Sequence, residues 1–224
     1  MTKTITRGRP KKDPGSFEIR NEHILTAACR MFAERGYSNT DVEELAAELE
    51  IGKGTIYRAF PSKQELFFAT VNRSLEQMAA FIRNEADAEN AQGVHRIQAG
   101  VRAFLRFFDN NPQVIELFVQ ERAVIKDQKS STFWDHCRKN SARWEAFFTE
   151  LMELGYVRTL DARWLAETLN QLLYGQLFLH RMDGAQVSLE SRSQNILTLF
   201  FIGILTSKGL EATAFGADMG GLHE

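Results

Sequence analysis

The 224-residue sequence predicts an all-α protein of about nine helices. Apolar residues recur at intervals of three and four along most of the chain, which is the period of an amphipathic helix. No segment alternates convincingly with the two-residue period of a β-strand. Proline occurs only four times, and Gly and Pro stand mostly between the periodic segments. We therefore expect helices throughout, separated at these residues.

The same patterns divide the chain into four parts. Residues 1–19 are expected to form a disordered basic arm, and 20–67 a small three-helix domain. Residues 68–208 form a larger helical domain, and the glycine-rich stretch 209–224, which has no periodicity, is expected to be a flexible tail.

Composition limits the classes of protein that are possible. The chain is 44% hydrophobic, enough for one or two cores, but no stretch of about 20 apolar residues could span a bilayer. The net charge of −2 is uneven, since residues 1–12 carry +5 and the remainder carries −7. Cys29 and Cys137 are expected to be unpaired thiols in a reducing cytoplasm, with Cys29 in the core.

The arm contains the sequence TRGRPKK at residues 6–12. Its basic residues surround a Gly and a Pro, which keep the backbone extended and leave nothing to build a core. The stretch resembles the Arg-Gly-Arg-Pro core of AT-hooks, which lie in narrow A/T-rich minor grooves. The resemblance implies DNA contacts from Arg7, Arg9 and Lys11. The alternative is a solvated basic tail with no partner.

Residues 40–60, TDVEELAAELEIGKGTIYRAF, have the spacing of a helix-turn-helix. In the first half, Val42, Leu45, Ala46 and Leu49 form one apolar face, which is typical of a packing helix. The second half, 53–60, is expected to bury Ile56 and Phe60 and to expose a polar set. That set is Lys53, Thr55, Tyr57 and Arg58.

This polar set suits the DNA major groove, which admits a helix that offers donors to phosphates and bases. Gly52 and Gly54 place no side chain at the N-terminal end of this helix, so its backbone N–H groups can approach a phosphate. The alternative is that residues 53–60 form an ordinary solvated helix in a helical bundle, which could have the same composition. The pattern of the flanking residues argues against this alternative.

Those flanking residues, 23–67, resemble the TetR/AcrR family of bacterial transcriptional regulators. The resemblance rests on a first helix that ends near Phe32, Gly36 and Tyr37, on KGTIYRAF, and on the SKQEL start of a fourth helix. It implies a helix-turn-helix domain followed by a ligand-binding and dimerisation domain. The DNA contacts that it implies are Thr40, Lys53, Thr55, Tyr57, Arg58 and Lys63, and the lack of a side chain at Gly54 adds that residue to them.

Three positions depart from the family pattern. Glu50 stands where a turn glycine is usual, Gly52 where a Ser cap is usual, and Asp41 where Thr or Ser is common. A non-glycine residue in a left-handed turn costs about 1 kcal/mol, so we expect the turn geometry to differ. Either Asp41 or Thr40, the latter with Glu43, can cap the first of the two helices.

Ser62 is expected to cap a long helix from about Lys63 to Asn84, which would link the two domains. The larger domain is rich in aromatic residues, and most are expected to be core. The family resemblance implies a cavity here for a small lipophilic effector. The candidate wall residues are Phe104, Phe108, Phe118, Trp134, Cys137, Trp144, Phe148, Asn170 and Tyr174.

Two segments, 164–180 and 195–209, are too apolar for surface helices. A homodimer interface would cover them, as the family's four-helix bundle does, and the alternative is the interior of a monomer. The candidate interface residues are Leu165, Leu169, Leu172, Gln176, Leu179, Leu197, Phe200, Phe201 and Ile204.

An enzyme is not expected, because no metal, phosphate or dinucleotide motif is present and Asp135, His136 and Cys137 point in different directions on one helix. No cofactor or metal is expected. The sequence predicts a cytoplasmic, nucleoid-associated repressor that binds a palindromic operator as a ligand-responsive homodimer. The alternative is an architectural protein that coats A/T-rich DNA without an effector.

Overall fold

The computed structural model describes residues 14–89, 91–124, 131–183 and 188–212. Ten α-helices and one 3₁₀ turn, Glu190–Arg192, occur in these residues. The helices are α1 (Pro14–Asn39), α2 (Val42–Glu48), α3 (Lys53–Ala59), α4 (Lys63–Ala88), α5 (Val94–Asn110), α6 (Pro112–Val124), α7 (Thr132–Glu153), α8 (Ala162–Asp183), α9 (Ser193–Ile204) and α10 (Ser207–Glu211).

The all-α class is confirmed: the described ranges contain no β-strand, and a single isolated bridge joins Val157 to Leu205. The described residues contain one α-helix more than the nine expected. The last helix, α10, covers the first residues of the segment predicted to be a flexible tail. The rest of that tail, 213–224, lies outside the described residues. Residues 1–13 of the predicted arm also lie outside them, whereas residues 14–19, expected in the arm, are the start of α1. None of the described helices has the length and apolar character needed to cross a membrane.

The chain separates into two compact units, Met1–Thr70 and Val71–Glu224. The boundary therefore falls within α4, three residues beyond the boundary expected from the sequence. Ser62 caps this helix as predicted, since its hydroxyl accepts a hydrogen bond from the Glu65 N–H at 3.1 Å.

The first unit has an aromatic core. Phe32 and Phe67 are fully buried and meet edge to face at 5.1 Å between ring centroids, and Tyr37 meets Phe67 at 5.2 Å. Gly36 interrupts α1 with φ 81° and ψ 157°, a conformation that suits a residue without a Cβ. This interruption changes the backbone direction just before Tyr37, whose ring also lies 6.0 Å from Phe32.

The second unit is built around α5, eleven of whose 17 residues are buried. A series of ring contacts extends from it: Phe108 to Phe118 at 5.8 Å, Phe118 to Phe133 at 5.6 Å, and Phe133 to Tyr174 at 4.5 Å. These contacts join α5, α6, α7 and α8 in one core.

The turn after α7 is bonded to the junction between α9 and α10. The Thr206 hydroxyl donates to the Gly155 carbonyl at 2.6 Å, and the Arg158 N–H donates to the Ile204 carbonyl at 2.8 Å. Gly209 lies so close to this turn that an added Cβ would collide with the Tyr156 carbonyl oxygen. The short helix α10 is therefore attached to the unit by backbone contacts.

Gly209→Ala is expected to lower the free energy of unfolding by about 1–3 kcal/mol, because the backbone of Tyr156 must move to admit the methyl group. Urea unfolding followed by circular dichroism measures the change. The matched control is Gly100→Ala in α5, whose Cβ would meet only Trp144 at an ordinary 3.8 Å. The control should be neutral or more stable, since Ala favours a helix more than Gly does. Equal stability of Gly209→Ala and wild type would contradict the close approach.

Candidate DNA-binding surface, cavity and apolar faces

The N-terminus of α2 is capped by Asp41, whose carboxylate accepts a hydrogen bond from the Glu43 N–H at 2.7 Å. This settles the choice that the sequence left open. Thr40 is only 3% exposed, and its hydroxyl donates instead to the Gly36 carbonyl at 2.8 Å. Thr40 therefore ties the end of α1 to the start of α2.

The turn between α2 and α3 keeps its left-handed residue although that residue is not glycine. Glu50 has φ 54°, the only positive φ at a non-glycine position among the described residues. Its N–H donates to the Ala47 carbonyl at 3.1 Å, and the Ile51 N–H donates to the Ala46 carbonyl at 2.9 Å. This pair of bonds is a Schellman motif. The sequence led us to expect altered geometry here, whereas Glu50 adopts the conformation that a glycine would take.

The helix α3 turns one apolar residue inward. Ile56 is fully buried, whereas Lys53, Gly54 and Arg58 are exposed. Thr55 and Tyr57 are half-buried at the edges of the exposed side. Phe60, expected inside this helix, is its half-buried C-terminal cap. The inward position of Ile56 therefore determines which side chains α3 offers to solvent.

Acidic residues on α2 hold several of the nearby cations. Glu43 pairs with Lys53, Glu44 with Arg35, and Glu48 with Arg30. The hydrogen bond from Lys53 to Glu43 raises the pKa of Lys53, so this ammonium remains charged. In contrast, Arg58 makes no ion pair within the part of the chain that the structure describes.

Lys63 lies at the start of α4, where its Nζ donates to the Ser38 carbonyl at 3.1 Å and lies 4.8 Å from the Tyr37 ring centroid. Burial lowers the pKa of Lys63. Among the predicted DNA contacts, the structure thus gathers Lys53, Gly54, Thr55, Tyr57 and Arg58 on α3. Arg7, Arg9 and Lys11 lie outside the described residues, and all of these assignments remain predictions.

The second unit contains a cavity of about 760 Å³ between α4, α5, α7 and α8. Four of the predicted effector residues line it: Phe104, Cys137, Trp144 and Asn170. The sequence did not single out several further wall residues. They are Met78, Ile82, Arg83, Val101, His136, Arg143, Phe147, Tyr156, Leu169 and Leu173.

The other predicted effector residues are placed elsewhere. Phe108, Phe118 and Phe148 are fully buried in the core. Trp134 and Tyr174 line a second cavity of about 500 Å³, and Cys137 and Asn170 border both cavities. Burial raises the pKa of Cys137 to about 12, and burial likewise raises the pKa of Tyr174 to about 12, so both groups are neutral at pH 7.

The helices α8 and α9 expose large apolar side chains, which we call the exposed apolar set. Its members are Trp164, Leu172, Leu179, Met182, Leu199 and Ile202, with Met182 81% and Leu199 77% exposed. On α8 they recur at helical intervals along one side. The sequence identified two of the six as interface candidates, Leu172 and Leu179.

The remaining interface candidates turn inward or lie at the edge. Gln176 is half-buried. The others are buried within the unit itself: Leu165, Leu169, Leu197, Phe200, Phe201 and Ile204. The second segment is apolar on nearly all sides, and its periodicity gave no sign of which side would face the chain's own core.

Glu50→Gly is expected to stabilise α2 and α3 by about 1 kcal/mol, because glycine adopts φ 54° without the steric cost of a Cβ. Hydrogen exchange of the backbone amides of residues 45–60 in the full chain measures this change. Glu50→Ala is the matched control, since it removes the same charge but keeps the Cβ. An equal gain in both variants would mean that charge, and not backbone strain, is responsible.

Comparison with known proteins agrees with this geometry. Residues 24–70 match the family model described as bacterial regulatory proteins, tetR family. An uncharacterized HTH-type transcriptional regulator of Bacillus subtilis, YxaF, is 29% identical over 164 residues, which are 70% of this chain and 83% of YxaF.

Solved structures extend the likeness to most of the chain. The fatty acid degradation regulator FadR from Bacillus halodurans has a TM-score of 0.71 at 18% identity, covering 85% of this chain and 96% of FadR. The transcriptional regulator FadR from Bacillus subtilis, solved in complex with stearoyl-CoA, has a TM-score of 0.67 at 17% identity, covering 81% and 98%. The matched residues and the shared fold show that this chain carries the DNA-binding helix-turn-helix of the tetR family of bacterial regulators within the fold of solved transcriptional regulators.

Proposed function

We propose that this chain is a repressor that binds a palindromic operator as a homodimer and leaves it when a lipophilic ligand enters the 760 Å³ cavity. The observation that carries the DNA-binding half is the arrangement of α3. Its one fully buried residue is Ile56, so Lys53, Gly54 and Arg58 face outward together. A short helix with donors on its outer side is what the major groove accepts.

Within α3, Arg58 is assigned to the bases, because it is exposed and makes no ion pair in the described ranges. Tyr57 and Thr55 donate to phosphates at the groove edge, and Gly54 allows the backbone to approach. Lys53 already has a carboxylate partner in Glu43, and a DNA phosphate replaces that partner on binding. Because Glu43 competes with DNA phosphates for Lys53, it reduces binding to duplex DNA of unrelated sequence.

The two remaining contacts that the family resemblance implies have a smaller part in this proposal. The Thr40 hydroxyl is buried and bonded to Gly36, so it is left out of the interface. The Lys63 ammonium uses one N–H donor on the Ser38 carbonyl and keeps its other donors for a phosphate. The basic arm adds contacts in the flanking minor groove through Arg7, Arg9 and Lys11.

A homodimer is proposed because six large apolar side chains are exposed on α8 and α9. Large apolar side chains left exposed on two helices are costly in water and are typical of a protein interface. A second copy of the chain can cover them symmetrically, as the four-helix bundle of the family does. Two recognition helices then contact half-sites about 34–36 Å apart.

The cavity supports a ligand response. Its volume lies within the range of about 300–1,000 Å³ that is usual for small-molecule sites, and aromatic and aliphatic side chains form much of its wall. The FadR structure from Bacillus subtilis holds stearoyl-CoA, which has a long apolar chain. A ligand that prefers one spacing of the recognition helices changes operator affinity by a coupling of about 1–3 kcal/mol.

Selection from random duplex DNA, followed by sequencing, tests the DNA-binding half. Wild type should enrich one palindrome with two half-sites. Arg58→Ala should weaken binding to that palindrome at least about tenfold, because a good base contact is worth about 1–3 kcal/mol. Arg138→Ala, an exposed arginine on α7, is the control and should bind as wild type does.

Two outcomes contradict this assignment. Enrichment of A/T-rich DNA without a palindrome would favour an architectural protein that uses mainly its arm. Unchanged operator affinity of Arg58→Ala would remove the base contact assigned to that residue.

Leu199→Glu is expected to convert the dimer to a monomer, because it places a charge in the middle of the proposed apolar interface. Sedimentation equilibrium measures the molecular mass. Val119→Glu on α6 is the control, since Val119 is also an exposed apolar residue but lies outside the exposed apolar set. The dimer proposal fails if Leu199→Glu and wild type have the same mass.

A further inference from the structure

The wall of the 760 Å³ cavity is chemically uneven. Its buried part is apolar and includes Met78, Phe104 and Leu173. Its exposed part is cationic and includes Arg83 on α4 and Arg143 on α7. A molecule that fills this cavity therefore meets hydrocarbon inside and guanidinium groups at the opening.

The charges at the opening are not balanced by the protein. Arg83 and Arg143 form no ion pair in the described part of the chain. Arg96, also at the wall, has a partner in Asp87 at 3.4 Å. Glu150 is the single carboxylate among the described wall residues. Two cations are thus left for a ligand to neutralise.

Two neighbouring features agree with a positive field. Burial lowers the pKa of His136, which lies on the wall. The charges of Lys139 and Arg83 lower this pKa further, and the charge of Glu76 opposes them. The first turn of α5 borders the cavity at Val94 and His95 and contains no acidic residue. The partial positive charge of a helix N-terminus therefore adds to that of the arginines.

We propose that the effector is an amphipathic anion, with an apolar body in the cavity and a carboxylate or phosphate group at Arg83 and Arg143. This inference rests on the proposed function, because it assigns a chemical class to the ligand that releases the operator. Guanidinium groups suit both head groups, since each presents two or more oxygens to paired N–H donors. A neutral molecule with the same body gains the apolar contacts alone.

Three ligands of equal chain length test the inference: dodecanoate, dodecyl phosphate and dodecan-1-ol. Trp144 lies on the cavity wall, so its fluorescence should report binding to the full-length protein. At least one anion should bind about tenfold or more tightly than the alcohol. Comparison of the two anions then identifies the preferred head group.

Arg83→Gln combined with Arg143→Gln should remove this preference while the affinity for the alcohol stays unchanged. Both side chains are exposed, so the fold should survive. The matched control is Arg138→Gln, on the same helix as Arg143 but absent from this wall, and it should keep the full preference. Gel shifts with the selected operator, run with each ligand, measure whether binding releases DNA.

The outcomes separate this inference from the proposed function. If the alcohol binds as tightly as both anions and releases the operator equally, the anion preference is wrong and the ligand-responsive repressor stands. If the double variant keeps the preference, the two arginines are not the head-group site. If none of the three ligands binds or changes operator affinity, the response to a lipophilic ligand fails as well.

Discussion

The DNA-binding surface depends on the burial of Leu45 and Ile56, one from each of two seven-residue helices. Helices this short are marginal in water, because one turn must be fixed before any further hydrogen bond is gained. These two segments are therefore helical because their inner sides pack against the rest of the unit. The same packing determines the direction in which α3 presents Lys53 and Arg58. The Schellman turn at Glu50 satisfies backbone carbonyls at the end of α2, where the chain turns into α3, and the Asp41 cap satisfies a backbone N–H group at the start of α2.

In the second unit, the aromatic residues serve two different purposes. Phe108, Phe118 and Phe133 form successive ring contacts that hold α5, α6 and α7 together. Phe104 and Trp144 lie on the wall of the cavity instead. The helix α5 contributes to both, since Phe104 and Phe108 are one turn apart, with their rings 5.0 Å apart. The packed core thus supports the cavity wall directly, and a bound ligand would press on rings that the core holds in place.

Much of the first unit was predictable because its determinants are local. The spacing of Val42, Leu45 and Ile56, the Ser62 cap and the turn position of Glu50 lie within a few residues of the contacts that they make. One expectation about this region, the geometry of the turn at Glu50, was wrong. The turn was expected to change shape, but the two Schellman hydrogen bonds and the buried faces outweigh a cost of about 1 kcal/mol at one exposed residue.

The sequence by itself determined that the chain is all-α, that residues 40–60 form a helix-turn-helix and that the second part of the chain is rich in buried rings. Only the tertiary structure decided which sides of these helices face the core, the cavity or solvent. It placed Phe148 in the core and Arg143 at the cavity opening, and it turned Phe200 inward and Leu199 outward. Periodicity fixes the faces of one helix, whereas the choice of a neighbour for each face depends on contacts between residues far apart in the chain. On helices that are apolar on nearly all sides, such as α9, no pattern within the segment records that choice.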